Sequence, residues 1–144
     1  MKLLNSIKIE HWVMLLGALA FGLGAAIYPL RAYIGRVDGV FMESFSAFSH
    51  AFFFVLAWGF PYISIRSIVL GGVLITVMIT WFEYLQDPEF LLIFQDYLSQ
   101  MIYNYANNGK FDAQDVMAGY VGSALAVLIG IWVAVRKNKR EVAQ

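Results

Sequence analysis

The stretch Val116-Met-Ala-Gly-Tyr-Val-Gly-Ser-Ala-Leu-Ala-Val-Leu-Ile-Gly-Ile-Trp-Val-Ala-Val135 decides the fold. It runs 20 residues without a charge and stops at Arg136-Lys137. A helix crossing the hydrocarbon layer of a bilayer needs about 20 apolar residues, and basic residues at its end anchor it at the membrane surface. Three other stretches read the same way. Trp12 to Leu30 is uncharged, and Ser44 to Ile65 has His50 as its one group titrating near neutrality. Ser67 to Phe82 is uncharged and continues through Glu83 to Gln86. The expectation is an all-α polytopic membrane protein. It has one domain over residues 1–144 and four transmembrane helices at about 11–31, 44–64, 66–86 and 114–135. Buried helices of a soluble bundle would show polar faces, and these do not. The first stretch is too long for a secretory signal peptide, and Ile27-Tyr28-Pro29-Leu30-Arg31 lacks a small-residue cleavage site.

Composition agrees. The chain is 60% hydrophobic and 14% charged, against roughly 45–50% and about 25% in an average soluble protein. Ten acidic residues balance ten basic ones, which points away from nucleic acid as a partner. The absence of cysteine excludes disulfides, thiolate metal sites and a cysteine nucleophile. No Gly-rich phosphate loop, HExxH or Ser-centred nucleophile elbow is present.

Four spans place both termini on one side. That side holds Lys2, Lys8, Arg66, Arg136, Lys137, Lys139 and Arg140, against Arg31, Arg36 and Lys110 on the other. The excess predicts cytoplasmic termini. Trp12 and Trp132 then fall near the inner interface, and Tyr28 and Tyr84 near the outer one. In the last outer connection Phe90, Leu91, Phe94, Leu98, Met101, Ile102 and Tyr105 recur at helical spacing. They predict an amphipathic interfacial helix over about 88–105, starting at Pro88 and ending before Asn107-Asn108-Gly109. Either a lid on the bundle or a lipid-bound helix fits that pattern.

Ala118, Gly122, Ala126, Gly130 and Ala134 form an i, i+4 line on the last span, and Ala18, Gly22 and Ala26 do so on the first. Such lines let helix backbones approach closely within lipid, inside one chain or between chains.

Ionisable groups within a membrane segment are costly and usually functional. His50 lies outward of the middle of its span, Glu83 further outward in the next, and Gln86 beyond it. Asp112 and Asp115 stand at the outer mouth of the last span. Arg31, at the outer end of the first, is a candidate counter-ion. Asp112, Asp115, Gly119 and Gly122 share a helix face, as do Thr76, Thr80 and Glu83, and Ser46 and His50. If these faces meet, they line a polar cavity open to the outside.

The order of these residues resembles the VanZ-like family of small bacterial membrane proteins. The matching pieces are Ser49-His50-Ala51-Phe52-Phe53-Phe54, then Glu83-Tyr84-Leu85-Gln86, then Lys110-Phe111-Asp112-Ala113-Gln114-Asp115-Val116 leading to Gly122. The likeness covers roughly Ser44 to Gly130. Gly119 stands where the family usually has Asn, and Lys110 where Arg is common. The resemblance implies a polytopic protein of the bacterial inner membrane, with the outward cluster as its shared site. The family's named member is associated with low-level resistance to teicoplanin, and the resemblance supplies no defined reaction.

Two functions follow as expectations. In the first, the pocket binds or acts on an envelope lipid or lipid-linked saccharide. His50 and Glu83 would serve as acid–base pair with Asp115 beside them as catalytic residues, while Gln86, Asp112 and Arg31 line the pocket. A divalent cation would suit the carboxylates, though no single helix carries a full ligand set. In the second, the chain is a non-catalytic accessory subunit, docked to other membrane subunits or to itself through its small-residue lines. A proton or ion pathway lacks ionisable groups in the inner halves of the spans.

Overall fold

The computed structural model describes residues 9–34, 40–59 and 64–142, with side chains described for 11–27, 44–59 and 64–139. All the described regular structure is helical. It comprises α1 (Ile9–Ile34), α2 (Val40–Gly59), α3 (Ile65–Tyr84), α4 (Pro88–Phe94), α5 (Gln100–Asn108) and α6 (Ala113–Val142). Two of these, α3 and α6, are long and apolar enough to cross a membrane, and apolar segments at His11–Ile27 and Ser44–Gly59 are shorter.

Helix α2 is central and packs on α1, α3 and α6, while α6 also packs on α3. Register follows from the glycines. Gly17 of α1 lies beside Leu56 of α2, and Gly24 beside Ser49, so these two helices run antiparallel. Trp58 meets Gly71, and Gly59 meets Ile68, so α2 and α3 are antiparallel too. Gly72 meets Val127, and Gly119 meets Ile79, which sets α6 antiparallel to α3. Gly122 lies on the Phe48 carbonyl, with Ala126 packed against Phe52 and Val55, so α6 runs parallel to α2.

Beside a core of Phe52, Val55 and Leu56, the packing buries small residues and leaves many large apolar side chains outside. Ser44, Ser46, Ser49, Ala51, Ser123, Ala126 and Ala134 are buried. Leu15, Leu16, Leu19 and Leu23 of α1 are exposed, as are Leu70, Val73 and Val77 of α3 and Leu128 of α6. Large contiguous apolar surfaces of this kind require a non-aqueous cover or a partner. Small residues inside let the helix backbones approach, as in membrane bundles.

Element boundaries differ from expectation at three places. The second stretch was expected to run to residue 64, but Ser64 is the N-cap of α3; it is extended, and its Oγ accepts the Ser67 amide at 3.1 Å. The third was expected to include Gln86, yet α3 ends at Tyr84 and Gln86 lies in the turn leading to Asp87. The expected single helix over 88–105 is two. Asp87 caps α4 with Pro88 in its first turn, and Ser99 caps α5 after a short 3₁₀ turn at 95–97. A straight helix over 88–105 would extend roughly 27 Å at 1.5 Å per residue. The break instead folds Leu91 of α4 and Ala106 of α5 onto the same buried Leu85, with Phe82, Phe90, Phe94, Leu98 and Ile102 around them. The pair forms a lid packed on one end of the bundle, leaving Leu92, Ile93, Tyr97 and Met101 exposed.

Candidate functional site

Against α5 of this lid is a cavity of about 750 Å³, open on one side. Its walls are mostly apolar: Phe54 from α2, Ile75, Met78, Ile79 and Phe82 from α3, and Met101, Ile102 and Tyr105 from α5. Its polar lining is Ser46 and His50 from α2, Glu83 from α3 and Asp115 from α6. The sequence-predicted residues His50, Glu83 and Asp115 therefore meet in one cavity, each from a different helix.

They do not occupy the same level. The antiparallel pairing of α2 and α3 through Trp58 and Gly71 sets Glu83 level with Ser46, and His50 one turn deeper, roughly 6 Å at 1.5 Å per residue. His50 and Glu83 are thus offset in depth and held by different partners. The His50 Nδ1 lies 2.6 Å from the Ser46 carbonyl oxygen and 3.1 Å from its hydroxyl. A carbonyl only accepts, so Nδ1 carries the hydrogen and donates it. When the ring is neutral, its lone pair is then on Nε2. Phe21 of α1 packs edge-on against the imidazole at 4.8 Å, and Phe54 stacks beside it at 6.4 Å. These rings and the Ser46 bond fix the imidazole plane.

Glu83 is held from the opposite side. Its Oε2 accepts the Asp112 backbone amide at 3.4 Å. Asp112 itself is the cap of α6: its Oδ1 accepts the Gln114 amide at 2.8 Å, and its carbonyl accepts the amides of Asp115 and Val116. Its carboxylate serves the helix terminus and does not line the cavity, which corrects its expected pocket role. Gln86 is displaced as well. Its amide donates to the Phe82 carbonyl at 3.4 Å, and its side chain fills the space beside Gly109, where any Cβ would collide with it. Gln86 packs the turn between α5 and α6 and does not line the cavity itself, but its side chain also reaches Glu83. The Arg31 side chain lies outside the described residues.

Among the described residues, no group of three or more His, Asp or Glu side chains is placed to hold a metal ion. A divalent cation therefore has no ready ligand set there.

Thr76 and Thr80, expected on the face of Glu83, line a separate groove. Helix α6 packs on α3 along Gly72 and Gly119 and divides that face. On its far side Thr76, Val77, Thr80, Trp81, Tyr84, Phe90 and Tyr120 bound a groove of about 440 Å³. The Thr80 hydroxyl donates to the Thr76 carbonyl at 2.8 Å, so at 2.9 Å it accepts from the Tyr120 hydroxyl. The sequence reading missed this groove. The signal was a tyrosine one turn into an uncharged span, facing a Thr-x-x-x-Thr pair.

Comparison with protein-family models, curated proteins and solved structures finds no match.

The small residues on α6 are used within the chain. A Cβ at Gly122 would strike the Phe48 carbonyl oxygen, and one at Gly130 would meet Ile68 at 2.8 Å. Ala126 and Ala134 are buried, and Ala118 is half-buried. On α1 the line Ala18, Gly22, Ala26 is exposed, and Gly22 has nothing within 4 Å of where a Cβ would sit. The face α1 turns to the bundle carries Gly17, Gly24 and Ile27 instead.

Proposed function

We propose that this chain is a VanZ-like protein of the bacterial inner membrane whose lidded cavity binds or acts on an envelope lipid or a lipid-linked saccharide. The observation that carries this reading is the cavity of about 750 Å³, with apolar walls and His50, Glu83 and Asp115 converging from three helices. Pockets of this volume take small ligands, and a few polar groups in an apolar wall fix their orientation. An amphiphile matches both parts. Its chain follows Ile79, Met78 and Ile75 toward Phe54, and its head sits at Glu83 and Asp115 under the lid.

The proposal includes four spans, formed by α1, α2, α3 and α6, and cytoplasmic termini. The alternating helix directions and the exposed leucines of α1 support four spans. The excess of Lys and Arg on the side of the termini supports the orientation. The ordered motifs from His50 to Gly122 support the family reading.

The test is purification in a mild detergent followed by mass spectrometry of the retained lipids. Wild type retains a lipid at unit stoichiometry. Ile79→Trp, which fills the middle of the cavity, releases it with helicity unchanged. Equal lipid retention in both proteins refutes the reading. A reporter fused after Gln144 reads cytoplasmic; a periplasmic signal inverts the orientation.

A second reading, a non-catalytic accessory subunit, is favoured by the exposed Ala18-Gly22-Ala26 line, which none of the described residues covers. It requires a stoichiometric partner in the same purification.

A further inference from the structure

Between its α2 and α3 walls the cavity is closed on three sides. Its inner end closes where Trp58 meets Gly71 and Gly59 meets Ile68. Its outer end is closed by Phe82 and Ile102, which line it and also pack on the buried Leu85, Leu91 and Ala106. Toward α6 the Asp112 amide bonds to Glu83 at 3.4 Å, and Asp115 forms the wall. The remaining side is rimmed by Phe54, Met78, Met101 and Tyr105, all of them exposed.

Depth decides what lies beyond that rim. The Trp58–Gly71 contact sets Phe54 level with Ile75, roughly 12 Å inward of Glu83 at 1.5 Å per residue. Ile75 lies at the middle of α3. Phe54 and Met78 thus bound the opening at mid-span depth, where hydrocarbon surrounds a four-span bundle. The rim residues carry no charge, and methionine side chains are unbranched and adapt to what passes them. The polar groups stand further in: Ser46 is buried, and His50, Glu83 and Asp115 are half-buried.

We infer that the cavity loads sideways, from the leaflet on the lid side, through an opening between α2 and α3 bounded by Phe54 and Met78. This inference rests on the reading that the cavity holds a lipid. The tail enters past Phe54 and Met78, and the head follows past Met101 and Tyr105 to the level of Glu83 and Asp115. The ligand is therefore resident in the membrane. A free saccharide on this route would carry its hydroxyls through hydrocarbon without partners, which is costly.

Exchange of the bound lipid tests the inference. The protein with its co-purified lipid is reconstituted into liposomes of deuterated total lipid from the expression host. Samples taken over time are extracted in mild detergent, and native mass spectrometry follows replacement of the light copy by the heavy one. Met78→Trp slows replacement about tenfold, the low end of the roughly one to three decades over which association rates vary among variants of one site. Met78→Ala speeds it. Val73→Trp, at an exposed position of α3 away from the cavity, exchanges as wild type does. All three keep one copy at equilibrium, because a rim residue changes the barrier and not the bound state. If Met78→Trp loses the copy altogether, the rate of Met78→Ala decides. Wild-type rates in the Met78 variants, or equal slowing by Val73→Trp, overturn the inference. If Ile79→Trp removes the copy in that case, the cavity holds lipid that enters elsewhere, and the broader reading stands. If wild type retains no copy, or Ile79→Trp keeps it, both fail.

Discussion

Along α6, Gly122 lies against the Phe48 carbonyl of α2 and Gly130 against Ile68 of α3. Along α1, Gly22 sits at the centre of an equally spaced line, and no described residue lies within 4 Å of where its Cβ would be. By sequence the two lines are alike, each repeating every fourth residue. A small residue permits a close approach, but the neighbouring helix decides whether it is used. On α1 the neighbour meets a different face. Ser49 of α2 projects toward Gly24, and Leu56 toward Gly17, one heptad apart. The working seam of α1 is therefore displaced from its i, i+4 line, and that line is left facing outward.

Substitutions along these lines test the difference. The largest effect belongs to Gly122→Ala. Its new methyl would collide with a backbone oxygen, which cannot swing aside as a side chain does. The expected loss is about 3 kcal/mol, the upper end for overpacking, measured by unfolding of the purified protein in mixed micelles. A variant as stable as wild type would mean that α2 and α6 do not meet at this level. Gly24→Ala comes next. Its methyl displaces the Ser49 hydroxyl from its 2.9 Å bond to the Ser46 carbonyl. A side chain can turn, so about 1–2 kcal/mol is expected. A larger loss for Gly24→Ala than for Gly122→Ala would reverse the assignment of α6 as the more tightly docked helix.

The same contrast explains what was legible in the sequence. Helix content and order followed from uncharged runs of sufficient length. Convergence of His50, Glu83 and Asp115 followed from the half of each helix they occupy: helices that alternate in direction bring those halves to one end, here with about one turn between His50 and Glu83. Two things were hidden. One is rotation about the helix axis, which a repeat of small residues does not fix without its neighbour. It sent Thr76 and Thr80 to a separate groove and turned Ala18, Gly22 and Ala26 outward. The other is local competition for polar groups. Asp112 reads equally as a pocket carboxylate or as a cap, and the open amides of α6 claim it. Gln86 likewise falls past the end of α3 and goes to the turn beside Gly109. The lid broke at Ser99 because a capping hydroxyl and an extended Leu98 let both halves reach Leu85.

A smaller effect separates close packing from polar bonding as the basis of helix docking. Thr80→Val removes the hydroxyl that joins α3 to Tyr120 of α6 and keeps the side chain's shape. Interhelical hydrogen bonds in membrane proteins contribute about 0.6 kcal/mol on average, and a loss of that order is expected in the same assay. A loss exceeding that of Gly24→Ala would make hydroxyl bonding, and not the approach of small residues, the stronger link between helices.

The smallest effect on stability is expected for Gly22→Leu. Among the described residues nothing lies within 4 Å of the missing Cβ, so the added side chain starts in open space, and the change stays within about 0.5 kcal/mol. The informative measurement is of association. If the α1 line seats a second copy or another subunit, leucine holds the backbones apart and recovery of the partner falls while the subunit keeps its own stability. If recovery and stability both stay unchanged, the line faces lipid and the accessory-subunit reading loses its support. A loss of stability comparable to that of Gly24→Ala would instead place a helix of this chain against Gly22 and remove the distinction between the two faces of α1. The two glycines lie two residues apart on one helix, so they share length, depth and composition, and their difference isolates the one variable that the repeat in the sequence did not encode.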